Sequence, residues 1–282
     1  MQTSRRLRKL ARGAFGLLPL ALGLLPSCTT SAAPPAPFDQ PTVQALFGPT
    51  FDTVSFEVDY AAGAEPYTGN VGGKVGFDIW DLFTSNAQRL FQSAHKSLLI
   101  PTTLAQMEEL DDVTAASFTT DQILAIADQH RGSVSAGSVA TFYVLWLPGY
   151  YDDGSQPQTD VLGLSLGDTG IIALFKPVIE STNSGGAQGL SVAMFVEQST
   201  LVHELGHAVG LVDNGAPLTA QHLDTGHGAH CTDEACVMYY ANEGATAAKT
   251  FVGRIAHGTD ILFDADCLGD VDALAAASAA GQ

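Results

Sequence analysis

The sequence predicts an α/β (α+β) fold in which a small mixed sheet packs against long helices. Runs that alternate apolar and polar residues recur between segments whose apolar residues fall at three- and four-residue steps, the periods of strand and helix. Gly and Pro punctuate the boundaries between them. From residue 38 onward the chain is also long enough to bury a substantial core.

In order, residues 54–60 alternate as a strand. Residues 79–99 carry Leu82, Phe83, Leu90, Phe91 and Ala94 at helical spacing, and Pro101 ends the run. Thr120 is placed to cap a helix reaching residue 129. Residues 140–147 and 161–166 read as strands, and 171–175 as another after the turn Gly167-Asp168-Thr169-Gly170. Val192, Phe195, Val196, Ser199, Val202, Leu205 and Val209 then form one apolar stripe on a helix that Gly210 stops. Residues 265–280 read as a closing helix with Cys267 near its start, and no internal repeat is found.

The striped helix carries His203-Glu204-Leu205-Gly206-His207. Positions i and i+4 lie one turn apart on one face, so both imidazoles can grip one ion while Glu204 stands beside it. Neutral imidazole suits zinc, a third protein ligand completes a catalytic set, and the open fourth position takes a water whose pKa the ion lowers. Glu204 is then the candidate general base, returning the proton to the leaving amine.

Downstream stands the string His230-Cys231-Thr232-Asp233-Glu234-Ala235-Cys236-Val237-Met238-Tyr239-Tyr240. With the first motif it resembles the metzincin clan of zinc peptidases, and within it the archaemetzincins, where a third His is followed by C-x4-C-x-M. His230, Cys231, Cys236 and Met238 match position for position, and the resemblance covers residues 202–240. It implies a two-lobed zinc peptidase fold: sheet, long helices and active-site helix above the cleft, and a smaller irregular and helical lobe below. It implies zinc, a peptide or protein substrate, and Met238 as a hydrophobic floor. It also implies that the Tyr240 phenol hydrogen-bonds the oxyanion, with packing in the pocket wall as the other reading.

This chain departs from the family pattern at two places. The third ligand of the family stands three residues after the glycine, where this chain has Asp213, while the His-Cys string begins only at His230. Either Asp213 binds the ion, or a loop of about 17 residues is inserted and His230 reaches it; both residue types are good zinc ligands. His230 is the favoured third ligand, because it keeps its spacing to Met238. The family also carries further cysteines for a structural zinc, and here only Cys267 is left for that purpose. The loop of residues 214–229 contains His222, Asp224 and His227, which are candidates for orienting ligands or for nothing beyond solvation.

Arg5, Arg6, Arg8, Lys9 and Arg12 precede an apolar run over residues 14–25 and then Pro26-Ser27-Cys28. That is the layout of a secretory signal, too short to span a membrane. Leu25-Pro26-Ser27-Cys28 resembles a bacterial lipobox, which implies a lipid anchor at Cys28 on the cell envelope, with simple secretion as the alternative. Residues 28–47 are assigned to a Pro/Ala/Ser-rich tether, residues 48–210 to the upper lobe and residues 211–282 to the lower.

The chain holds 12 basic and 30 acidic residues, net −18; loss of residues 1–27 leaves 7 against 30, net −23. Such a surface excludes nucleic acid as a partner. A monomer is expected. Cys231, Cys236 and Cys267 permit one disulfide, either Cys231 with Cys236 or Cys236 with Cys267, the first slightly favoured. The function expected is therefore an exported, membrane-anchored zinc endopeptidase. The competing readings are a surface lipoprotein that binds zinc without hydrolysis and a zinc hydrolase of non-peptide amides.

Overall fold

The elements of the computed structural model, in chain order, are α1 (Val43–Phe47), β1 (Thr53–Ala61), α2 (Trp80–Phe91), β2 (Ser97–Leu99), β3 (Glu108–Leu110), β4 (Ser117–Phe118), α3 (Thr120–His130) and β5 (Val139–Leu147). They continue with β6 (Tyr150–Asp152), β7 (Pro157–Gln158), β8 (Gly163–Ser165), β9 (Ile171–Phe175), α4 (Lys176–Ser181), α5 (Gly186–Ala208), α6 (Ala245–Val252) and α7 (Ala265–Ala280). Residues 40–71 and 77–280 are described.

A mixed sheet organises the molecule. β1 runs parallel to β2 and β3 on one side and to β5 on the other, β9 continues the sheet in parallel, and β8 closes it antiparallel at the edge. β5 is apolar but for Thr141 and buried from residue 140 on, as expected of a parallel strand covered on both faces. The α2 side of the sheet is filled by aromatic pairs: Phe56 meets Phe83 edge-on at 5.1 Å, and Trp80 meets Trp146 at 6.0 Å. A second, three-stranded sheet joins β4, β6 and β7.

The stripe predicted for α5 understates its position. Residues 196–206 are buried without interruption, because α2, α4, α6, β8 and β9 surround the helix. Central burial leaves the Gln198 and Thr200 side chains on it without hydrogen-bond partners, but Glu197 is satisfied. Glu197 accepts from the Lys176 ammonium at 2.6 Å and from the Tyr67 N–H at 2.6 Å, and that ammonium lies 3.5 Å over the Tyr67 ring. α5 is thereby pinned to the end of β9.

Two sequence readings are corrected. The helix expected over 79–99 stops at Phe91; the chain reverses at His95, φ 54°, and Ser97–Leu99 becomes a parallel strand on β1. A short apolar run such as Leu98-Leu99-Ile100 fits either period, and only pairing decides. The tether assigned to residues 28–47 contains α1 at its end: Thr42 caps it, Leu46 and Phe47 are buried, and Phe47 stacks on Phe91 at 5.3 Å. Its apolar residues outweigh the Pro/Ala-rich composition, which stops at residue 37. Residues 37–282 form one compact unit. The signal and lipobox readings lie outside the described residues.

Candidate metal centre

α5 delivers its two histidines because it ends where it does. Gly210 takes φ 87°, the Gly210 N–H donates to the His207 carbonyl and the Leu211 N–H to the Gly206 carbonyl, both at 3.0 Å. This is a Schellman closure, which needs the left-handed residue that glycine supplies. Beneath the helix Met238 is fully buried, and any side chain at Gly206 would collide with its Sδ.

His203, His207 and His230 converge. Their ring centroids lie 4.7, 4.8 and 5.3 Å apart, and their nitrogens, with a Glu243 oxygen, all fall within 4.8 Å of one another. Carbonyl oxygens set two of the tautomers: His203 Nδ1 donates to the Val237 carbonyl and His230 Nδ1 to that of His227, each at 2.7 Å. Both rings therefore turn an Nε2 lone pair inward. His203 Nε2 and His207 Nε2 stand 3.0 Å apart, close to the roughly 3.3 Å edge of a tetrahedron around an ion with ligands at about 2.0 Å. His230 Nε2 is a buried atom without a hydrogen-bond partner, as a free metal-ligand position would be. The donor set fits a divalent ion.

Burial pushes the His203 imidazole down to about 4 and His207 well below its ordinary value, so both are neutral and able to bind a cation. For His230 burial acts the same way, but the Glu243 carboxylate and the His227 carbonyl outweigh it and raise the pKa. Glu204 is buried beside the centre; desolvation, then the Glu243 charge, raises its carboxyl well above normal, opposed by the Ser165 N–H.

Asp213, the alternative third ligand, is exposed, holds φ 61° and is not among the converging donors. The loop of residues 214–229 brings His230 instead, closed by the Asp224 N–H on the His230 carbonyl at 2.7 Å and the Thr232 N–H on the His222 carbonyl at 2.8 Å. Asp224 holds His227 Nδ1 at 2.7 Å, and the Tyr240 ring lies flat on His227, centroids 3.6 Å apart at 4°. That stack braces the loop, and the Tyr240 ring also packs against Tyr239, centroids 4.8 Å apart.

A second group gathers on the far side of the His230–Met238 string. His222, Cys231, Asp264 and Cys267 have donor atoms within 4.8 Å of one another, and Cys236 Sγ adds a contact to Cys267 Sγ at 3.6 Å. The cysteines are free and buried, so neither expected disulfide is present. His222 turns Nδ1 to Cys267 at 3.7 Å, while its Nε2 donates to Asp270 at 2.8 Å; Asp270 is fixed in turn by Thr219. Neighbouring thiols lower the Cys236 pKa to about 5. Two thiols, the Asp264 carboxylate and one imidazole backed by Asp270, with the Cys236 thiol alongside, fit a structural ion. Sequence reasoning missed this group and Glu243, although His222 and Cys267 had each been noted.

No protein-family model matches this chain, and no curated protein matches it. Two solved structures overlap it. Archaemetzincin from Methanopyrus kandleri is 12% identical with a TM-score of 0.43, over 79% of this chain and 96% of that one. A zinc-dependent peptidase from Methanocorpusculum labreanum is 11% identical with a TM-score of 0.43, over 77% and 99%. At that level of overlap neither assigns this chain to a family or an activity.

Proposed function

We propose that this chain is an exported, membrane-anchored zinc metallopeptidase. The observation that carries the metallopeptidase reading is the convergence of His203, His207 and His230, two of them turned inward by carbonyl partners, beside the buried Glu204 carboxyl, while export and anchoring rest on the sequence of residues 1–28 alone. A bound zinc ion supplies Lewis acidity and an activated water. Glu204 takes the proton at its carboxylate and returns it to the leaving amine.

The edge strand β8 offers the substrate a backbone to pair with. The Leu162 carbonyl accepts from the Phe175 N–H and the Leu166 N–H donates to the Ile171 carbonyl, so the Gly163 backbone and the Ser165 carbonyl face outward beside Glu204, which takes the Ser165 N–H. An extended peptide adds to such an edge by main-chain bonds. The strand leads to a cavity of about 760 Å³ that reaches His207, with Gln40, Gln44, Asp168 and Asn214 on its walls. Tyr240, steadied on His227, is the hydroxyl proposed for the oxyanion.

Expression of the full chain in a bacterium tests the reading. The protein is expected to carry zinc, to cleave a random peptide library in a chelator-sensitive way, and to partition with membranes with a lipid on Cys28. A zinc-loaded chain that cleaves nothing would leave the non-catalytic binding module as the better account.

The second group is proposed as a structural zinc site formed by His222, Cys231, Cys236 and Cys267. Wild type is expected to hold about two zinc ions and His222→Ala or Cys267→Ser about one, with a lowered melting temperature, since a structural ion contributes directly to folding. Unchanged stoichiometry in both variants rules the site out.

A further inference from the structure

Resting on the zinc-peptidase reading above, we propose that Glu243 is a fourth, displaceable ligand of the same ion, closing the position at which water or substrate must bind. Its Oε1 lies 3.1 Å from His230 Nε2 and within 4.8 Å of the His203 and His207 donors. Yet the two atoms are not aligned as donor and acceptor, and His230 Nε2 is left without a hydrogen-bond partner. An imidazole nitrogen and a carboxylate oxygen placed in this way can share a third partner. Their separation is near the roughly 3.3 Å ligand–ligand edge of tetrahedral zinc, for which a carboxylate oxygen is an ordinary ligand.

The backbone and side chain of Glu243 are held differently. Its carbonyl accepts from the Leu162 N–H at 3.3 Å and the next residue, Gly244, bridges Val161, so the main chain is tied to the strand that runs into β8. The side chain is 51% exposed. Rotation about its own bonds can therefore take the carboxylate into solvent with the backbone in place. Three protein ligands leave a zinc ion open for catalysis, whereas four close it. A fourth ligand able to leave makes the centre closed at rest and open once a substrate paired along β8 competes for the ion. Neighbouring Tyr240 and Asn242 are fixed by stacking and by bonds to the Cys236 and Val237 carbonyls, so Glu243 is the mobile group of this turn.

The test uses the full chain loaded with Co²⁺, whose visible spectrum reports its coordination, with His203→Ala as the blank that subtracts any cobalt held elsewhere. Glu243→Gln, which keeps the shape, and Glu243→Ala are expected to change the spectrum of the His203-dependent cobalt as water replaces the carboxylate. Azide should bind that cobalt about tenfold tighter or more, because the open state no longer competes with a closed one. Variants that load cobalt with the wild-type spectrum and azide affinity overturn the proposal, even if metal affinity drops through lost charge alone. A wild-type chain with no His203-dependent cobalt overturns the zinc-centre reading instead.

Discussion

Glu204→Ala is expected to keep zinc and fold and to lose nearly all turnover, by on the order of 10²–10⁴-fold, the usual contribution of a positioned general base. The residue is not among the converging donors, so its removal leaves the ion's ligands untouched. Its carboxyl is buried at the end of the most deeply enclosed helix, beside Gly163 and under the Ser165 N–H. Desolvation and the Glu243 charge hold its pKa high, and a dication among the imidazoles would oppose both and favour the carboxylate that accepts a proton. Glu204→Gln keeps the volume and separates base chemistry from packing. Peptide cleavage by either variant at the parent rate, measured at equal zinc content, would remove the peptidase assignment.

The second large effect is on metal affinity. His230→Ala should lower the affinity of the His203-dependent site by more than the roughly 10–100-fold that loss of a residue behind a ligand costs, and Asp213→Ala should leave it within that range. His230 brings a lone pair to the other two imidazoles from a loop closed by its own backbone bonds, whereas Asp213 is exposed and turned away on a left-handed residue. Because Glu243 remains as a donor in His230→Ala, the measurement is affinity by chelator competition. An Asp213→Ala chain that loses zinc while His230→Ala retains it reverses the choice.

What the sequence determined by itself was local. The spacing of His203, Glu204 and His207 is a property of any helix, and Gly210 as its stop follows from the left-handed backbone that glycine allows. β1, β5, β9 and α7 were legible for the same reason, since each carries its period within its own residues. Local period misplaced the end of α2 and left β2 unseen, because pairing with residues 53–55 outweighs a run that suits either state. It also read α1 as tether, since what orders Leu46 and Phe47 is the far surface of α2.

The tertiary structure alone decided which side chains meet across long stretches of chain. Whether His230 or Asp213 faces the imidazoles depends on how the loop of residues 214–229 closes, and the bonds from Asp224 to His230 and from Thr232 to His222 close it toward His230. The same closure sets His222 against Cys267 and Asp270, residues that composition could count but not place. Glu243 comes to the metal donors because its backbone is held by Leu162, some eighty residues earlier in the chain. Helical spacing is fixed by bonds within four residues, but a ligand set drawn from distant segments is fixed by packing and loop closure, which no local pattern encodes.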